Sequence, residues 1–182
     1  HLFFSSNKNL PNYKAQLKVV FSKATEILYL SDNYLSLVKN LQIIPAPRMM
    51  KVVNGFNLVK PNNPSGGQPD KNNCTFLLAS RARYDKGWKE AIDCIVSLQK
   101  NGYKECNLIL AGDGEMLEEF KNKFPSNKYP FISFLGFVSD VLHQINCCDV
   151  ILLPTYHQEQ LPTFIIEGLF LGKPVIATDI AE

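Results

Sequence analysis

The sequence predicts an α/β fold in which a parallel β-sheet is covered by helices on both faces. Three observations predict it. From Cys74 onward, short apolar runs alternate with longer segments whose apolar residues recur at helical spacing. Glycine, proline and charged residues separate these segments. The 182 residues, of which 46% are hydrophobic and 20% charged, are enough for one sizeable core of a globular domain.

The part of the chain before Cys74 predicts fewer elements. Apolar spacing indicates a first helix from Leu10 to Ala24 and a second helix after Ser31, whose hydroxyl is expected to cap it. Strands are predicted over Ile27–Leu30 and Met50–Val53. Residues 61–69 are rich in proline and glycine, which indicates a loop or linker.

From Cys74 the elements alternate regularly. Four strands are predicted, over Thr75–Ala79, Asn107–Ala111, Phe131–Leu135 and Asp149–Leu153. A helix follows each of them: from about Lys86 to Lys100, from Met116 to Phe124, from Val138 to Ile145, and from Pro162. Proline suits a first helical position because its missing N–H costs nothing there. Gly172 and Pro174 end the last helix, and Val175–Thr178 predicts a further strand.

Charge and cysteine content exclude several classes of protein. Nineteen basic and 17 acidic residues give a net charge of +2, too small for a nucleic-acid or polybasic membrane surface. No apolar run is as long as a membrane span, and the first five residues do not resemble a signal peptide. The five cysteines form no C-x-x-C pair, and their odd number is typical of reduced thiols, which predicts a cytoplasmic location.

Unusual residues follow each of the predicted strands. They are Ser80–Arg81, Gly112–Gly114, Gly136–Phe137 and the polar loop up to Leu161. Because ligands of an open parallel sheet bind outside the carboxyl ends of its strands, this positioning predicts a binding site there. Glu159 and Glu167 flank the start of the last helix, where backbone N–H groups favour an anion. A ligand with both phosphates and sugar hydroxyls fits this arrangement.

The spacing of Glu159 and Glu167, followed by Gly172–Asp179 (GKPVIATD), resembles the signature of family 4 glycosyltransferases of the two-domain GT-B type. The resemblance runs from about Ala24 to Glu182. It implies a Rossmann-like, nucleotide-sugar donor-binding domain over residues 49–182, expected to be truncated at its C-terminus. Residues 1–48 would be the remnant of the end of the acceptor domain plus a linker. The implied reaction moves a sugar from a nucleotide-diphospho-sugar to an acceptor hydroxyl with retention, without a metal.

The resemblance also implies site residues. Arg81 and Lys86 match a basic pair that would neutralise the diphosphate, and Glu159 would face and orient the donor sugar. Glu167 would bind the ribose hydroxyls. The other donor-binding positions implied are Gly112, Gly114, Gly136, Phe137, Val138, Gln160, Leu161 and Thr163.

Alternatives stay open at several of these positions. Arg83 is a second candidate for the phosphate cation, and Gly112–Gly114 also fits a bare tight turn. Phe137 and Val138 also fit a core. The chain departs from the family pattern at Ser80 and Gln160, where glycine is usual.

The implied partners are a UDP- or GDP-sugar, a saccharide or lipid-linked acceptor and the missing N-terminal domain. Surface polysaccharide or glycolipid synthesis at the inner face of the cell membrane, with peripheral membrane association of the full enzyme, is implied at family level. No cofactor and no nucleic acid are expected. The 182 residues alone are expected to be inactive. A nucleotide-sugar epimerase, with His157 and Glu159 for proton transfer, and a non-catalytic binding module are the alternatives.

Overall fold

The computed structural model describes residues 10–43, 47–52, 72–156 and 162–179. The chain divides into two compact units, unit 1 over residues 1–56 and unit 2 over residues 57–181.

The described part of unit 1 is a small α/β arrangement. Its elements are α1 (Leu10–Ser22), β1 (Glu26–Tyr29), α2 (Asp32–Asn40) and β2 (Arg48–Lys51). The two strands pair in parallel, so the strand that the sequence assigned to the second domain lies in unit 1. Leu17, Val38, Leu41 and Ile43 form its buried core. The Ser31 hydroxyl makes no capping bond to α2, contrary to expectation, although the residue occupies the cap position.

Unit 2 contains a five-stranded parallel sheet in the order β5-β4-β3-β6-β7. In chain order its elements are β3 (Cys74–Ala79), α3 (Trp88–Lys100), β4 (Cys106–Ala111), α4 (Leu117–Lys123), β5 (Ile132–Gly136), α5 (Val141–Cys147), β6 (Val150–Leu153), α6 (Thr163–Phe170) and β7 (Val175–Ala177). The predicted α/β fold is confirmed. The strand order changes direction between β3 and β6, which is where open parallel sheets bind ligands.

Helices cover both faces of this sheet. Leu78 of β3 belongs to a core that includes Trp88 and Ile92 of α3 and Phe120 of α4. Its neighbour Leu77 belongs to a second core, with residues of α5 and α6. Successive side chains of a strand point to opposite faces, so the continuous apolar run of β3 supplies both cores.

All four predicted helix starts of unit 2 are too early; Met116, for example, precedes α4, which begins at Leu117. Lys86 ends a separate 3-10 turn over Tyr84–Lys86, and α3 begins at Trp88, because Gly87 adopts a left-handed conformation between them. Val138 precedes α5, which begins after Asp140, whose carboxylate accepts from the backbone N–H of His143 at 2.9 Å. Pro162 has extended backbone angles and takes the cap position before α6 rather than its first turn.

Lys173, within the GKPVIATD run, closes the end of α5. Its ammonium donates to the carbonyl oxygens of Asn146 at 2.9 Å and Cys148 at 2.7 Å. A cation is favourable there because the last carbonyls of a helix have no partner within it. Lys173, which belongs to the GKPVIATD signature, therefore has a structural contact in unit 2. The Cys148 side chain is a buried thiol, and burial raises its pKa to about 11.

We expect Lys173→Met to lower the free energy of unfolding by about 2 kcal/mol, because it removes two charge-assisted hydrogen bonds while keeping the apolar stem. Urea unfolding followed by circular dichroism measures this. The matched control is Lys121→Met, which removes an exposed ion pair with Glu118 and should cost less than about 0.5 kcal/mol. Equal stability losses for the two variants would contradict the role assigned to Lys173.

Candidate functional site

A cleft of about 650 Å³ opens at the carboxyl ends of the central strands of unit 2. Loops after β3, β4 and β5 line it together with α5 and the first two turns of α6. The lining residues are Ala79, Ser80, Arg81, Ala111, Gly112, Asp113, Gly114, Phe137, Val138, Val141, Thr163, Phe164 and Glu167. Seven of the sequence-predicted positions are therefore in one cleft: Arg81, Gly112, Gly114, Phe137, Val138, Thr163 and Glu167.

The glycine loop after β4 lies directly against the loop after β3. Gly112 has φ of +142°, and a Cβ added there would collide with the carbonyl oxygen of Ser80. Gly114 has φ of +156°, and its added Cβ would lie 2.7 Å from the carbonyl oxygen of Ala82. Both positions need glycine for backbone conformation and for close approach. Tight packing therefore accounts for the two glycines, and it also brings their backbone to the wall of the cleft.

Ser80 is held in place by a buried tryptophan. The indole N–H of Trp88, which is fully buried, donates to the Ser80 hydroxyl at 3.0 Å, and that hydroxyl donates to the Arg81 carbonyl at 3.3 Å. Sequence reasoning noted a serine in place of glycine but missed this contact. The signal was present in the chain, since a buried indole requires an acceptor.

Of the two candidate arginines, Arg81 lines the cleft and Arg83 does not. The guanidinium of Arg83 binds the carboxylate of Asp85 at 2.9 Å. Lys86 is half-buried at the end of the 3-10 turn and is not among the residues lining the cleft. The structure thus brings Arg81 to the cleft wall, with Lys86 in the same loop.

Glu167 projects from the second turn of α6 into the cleft and is half-buried. Burial raises the pKa of its carboxyl above the ordinary value of 4.5, because a charged group loses water contact there. Thr163, at the start of the same helix, also lines the cleft, and no side chain of the described residues caps this helix end. The cleft therefore combines an acidic side chain with an uncapped helix N-terminus.

The segment after β5 contributes an aromatic side chain to the cleft. Phe137 is 79% exposed, which excludes it from the core, whereas Val138 is half-buried and packs on the core beneath α5. Gly136 adopts φ of +69°, and its carbonyl accepts from the Gly112 N–H at 2.6 Å. Gly136 is not one of the lining residues.

Some predicted positions lie outside the described residues: Glu159, Gln160, Leu161 and His157. Asp113, which sequence reasoning did not select, lines the cleft, and its carboxylate accepts from the Gly114 N–H at 2.7 Å. Within the described ranges, no three His, Cys, Asp or Glu side chains are placed to hold a metal ion together. In the same ranges, none of the helices has the length and apolar character needed to cross a bilayer.

Comparison with known proteins identifies the kind of chain to which this cleft belongs. The family model described as "Glycosyl transferases group 1" matches residues 59–182. A curated protein, the 2-deoxystreptamine glucosyltransferase of Streptomyces kanamyceticus, is 24% identical over 115 residues, which are 61% of this chain and 29% of that protein.

Among the solved structures that are similar in fold are HepE and WaaG. HepE of Anabaena, solved in complex with UDP and glucose, is 18% identical, with a TM-score of 0.62 over 92% of this chain and 49% of that chain. WaaG, a glycosyltransferase involved in lipopolysaccharide biosynthesis, is 17% identical, with a TM-score of 0.68 over 85% of this chain and 44% of that chain. The chain thus spans half or less of the length of these relatives.

Proposed function

Since the chain belongs to the glycosyl transferases group 1 family, we propose that unit 2 binds the nucleotide-diphospho-sugar donor of a retaining family 4 glycosyltransferase. One observation carries the proposal: Arg81, Thr163 and Glu167, which are far apart in the sequence, line a single cleft. The cleft lies at the carboxyl edge of the sheet, next to the change in strand order.

Each wall of the cleft suits one part of such a donor. The guanidinium of Arg81 and the N–H groups at the start of α6 suit the diphosphate, through charge and directed hydrogen bonds. The carboxylate of Glu167 suits the ribose hydroxyls, which are hydrogen-bond donors. The exposed ring of Phe137, which lines the cleft, suits the nucleobase. The cleft volume of about 650 Å³ is within the ordinary range for a small-molecule site.

In the proposed reaction, the bond between the anomeric carbon and the diphosphate oxygen breaks, and the bonding electrons leave with the nucleoside diphosphate. An acceptor hydroxyl forms the new bond to the oxocarbenium-like sugar on the same face, and its proton passes to the departing diphosphate oxygen. Arg81, Lys86 and the start of α6 stabilise the charge on the departing diphosphate, so no metal is required in this mechanism. Glu159 orients the donor sugar in this proposal.

The direct test is calorimetric titration of the 182-residue chain with UDP, GDP and ADP. Binding of UDP or GDP in the micromolar to millimolar range supports the proposal. Binding of none of the three contradicts it and favours a scaffold without a nucleotide site. HepE, which was solved with UDP and glucose, makes UDP the first nucleotide to test.

Glu167→Gln is expected to weaken UDP binding by about tenfold at pH 7.5, because an amide accepts more weakly from the ribose hydroxyls than a carboxylate does. In the wild-type chain, affinity should fall as the pH is lowered through the raised pKa of Glu167, which lies above 4.5. The Glu167→Gln variant should lack this component of the pH dependence. Titration calorimetry at a series of pH values from 7.5 downward measures both.

The same variant should gain stability at neutral pH. A carboxyl whose pKa is raised by folding adds most to the free energy of unfolding at a pH below its unfolded pKa. That stabilisation is lost as the pH rises through the folded pKa. Removing the charge should therefore raise the melting temperature at pH 7.5. Glu118→Gln, an exposed carboxylate on α4 outside the cleft, is the matched control and should change neither property. Unchanged UDP affinity in Glu167→Gln would contradict the ribose contact.

Our proposals for the acceptor and the pathway rest on similarity to other glycosyltransferases rather than on the cleft. WaaG is involved in lipopolysaccharide biosynthesis, and surface polysaccharide or glycolipid synthesis at the inner face of the cell membrane suits this chain on that basis. We also propose that the acceptor is a saccharide or a lipid-linked saccharide, bound by a further domain. Sugar transfer by the purified 182-residue chain would contradict the need for that domain.

A further inference from the structure

We propose that Thr155 is a positioning residue whose buried hydroxyl holds the basic turn that carries Lys86. This inference rests on the proposed function, since Lys86 is assigned to the diphosphate there. Thr155 follows β6 and is 2% exposed, so its hydroxyl requires a partner inside the protein. Sequence reasoning did not select it.

The contact joins two loops that are 70 residues apart in sequence. The Thr155 hydroxyl donates to the carbonyl oxygen of Asp85 at 2.9 Å, and Asp85 is the middle residue of the turn that ends in Lys86. The same carbonyl accepts from the backbone N–H of Tyr156 at 2.9 Å. Two adjacent donors from the β6 loop therefore hold one carbonyl of the basic turn.

The packing beside this contact is tight. Gly87, directly after Lys86, has φ of +74°, and a Cβ added there would collide with the carbonyl oxygen of Pro154. The start of α3 thus lies against the residue that precedes Thr155. This close approach leaves little room for the turn to shift while the bond from Thr155 is intact.

Thr155 is in turn held from the β7 side. The Thr178 hydroxyl donates to the Thr155 carbonyl at 2.6 Å, and the Thr178 N–H donates to the Leu153 carbonyl at 3.2 Å. A chain of hydrogen bonds thus runs from the end of β7, through the β6 loop, to the basic turn. The segments joined in this way follow β7, β6 and β3, and all three lie at the carboxyl edge of the sheet.

The segment before the basic turn is attached at Ala82 by main-chain hydrogen bonds. The Ala82 N–H donates to the Asp113 carbonyl at 3.0 Å, and the Ala82 carbonyl accepts from the Met116 N–H at 3.0 Å. No side-chain substitution removes these. The bond from Thr155 is different, because replacing its hydroxyl removes it while Tyr156 still satisfies the Asp85 carbonyl. A substitution at Thr155 can therefore change the position of the turn that carries Lys86 separately from the stability of the fold.

Thr155→Val keeps the shape of the side chain and is expected to weaken UDP binding by about fivefold, the cost of one hydrogen bond that positions a charged group. Thr155→Ser retains the hydroxyl and should restore the affinity. Hydrogen exchange should become faster at the amides of Lys86 and Tyr156 in Thr155→Val. Gln99→Met is the control for the loss of a buried polar contact as such. The Gln99 amide donates to the carbonyls of Lys104 and Cys106, away from the cleft, so its loss should not weaken UDP binding.

A double-mutant cycle identifies the route of the effect. If Thr155 acts through the turn, Thr155→Val should cost little further affinity in a Lys86→Met background, so the two losses will not add. Additive losses would overturn the inference, as would a Thr155→Ser variant as weak as Thr155→Val, or unchanged exchange at Lys86. Failure of the wild-type chain to bind UDP, GDP or ADP would instead contradict the proposed function, and with it the effect on affinity.

Discussion

Arg81→Met weakens UDP binding by about 30- to 100-fold in our expectation, because it removes charge-assisted hydrogen bonds to the diphosphate. Arg81 lines the cleft beside the start of α6, and its side chain is exposed in the structure. A planar guanidinium can form two parallel bonds to phosphate oxygens, whereas the methionine side chain preserves only part of the apolar contact. Calorimetric titration with UDP measures the loss.

The controls for Arg81→Met separate a specific contact from a general change in charge. Lys89→Met removes a neighbouring cation that pairs with Asp93 on α3 and does not line the cleft. It should leave UDP affinity within about twofold, since Lys89 is exposed and does not line the cleft, and exposed charges are screened by salt. Neither variant should change the melting temperature by more than about 2 °C. Equal losses of affinity in the two variants would contradict a direct contact between Arg81 and the diphosphate.

Gly112→Ala is expected to lower the free energy of unfolding by about 3 to 5 kcal/mol, the largest effect on stability expected at a single glycine of the cleft. Two costs combine there. The backbone has φ of +142°, which a residue with a Cβ rarely adopts, and the new methyl group would collide with the Ser80 carbonyl. Main-chain atoms would have to move, which would separate the loops after β3 and β4.

Gly102→Ala distinguishes the two costs. Gly102 has φ of +98° in the turn after α3, and a Cβ added there would meet no atom within 4 Å. It should cost about 1 to 2 kcal/mol, from backbone strain alone. Chemical denaturation of both variants measures the difference. A Gly112→Ala chain as stable as the Gly102→Ala chain would contradict the close approach of Ser80.

The strands of unit 2 were predictable because their signal is local. The apolar run of β3 was predicted over Thr75–Ala79 and is Cys74–Ala79 in the structure. Helix starts were less predictable. The helical pattern of α3 extends back to Lys86, but the left-handed conformation of Gly87 divides it, and apolar spacing does not report that conformation.

The candidate site was predictable in composition and only partly in geometry. Because the carboxyl ends of parallel strands meet at one edge, Arg81 and Glu167 were expected to be neighbours, and they line the same cleft. The motif spacing already favoured Arg81 over Arg83; in the structure Arg81 lines the cleft, whereas Arg83 binds Asp85. Whether these residues bind a nucleotide stays a prediction.

Periodicity along the chain was enough to establish an alternating α/β fold with its polar and glycine loops after the strands, since hydrogen bonding within helices and side-chain alternation within strands are local properties. Long-range contacts required the folded molecule. The strand order, the bond from Trp88 to Ser80 and the bond from Thr155 to Asp85 join segments through packing. Contacts of this kind depend on which surfaces bury one another, and that is a property of the whole chain.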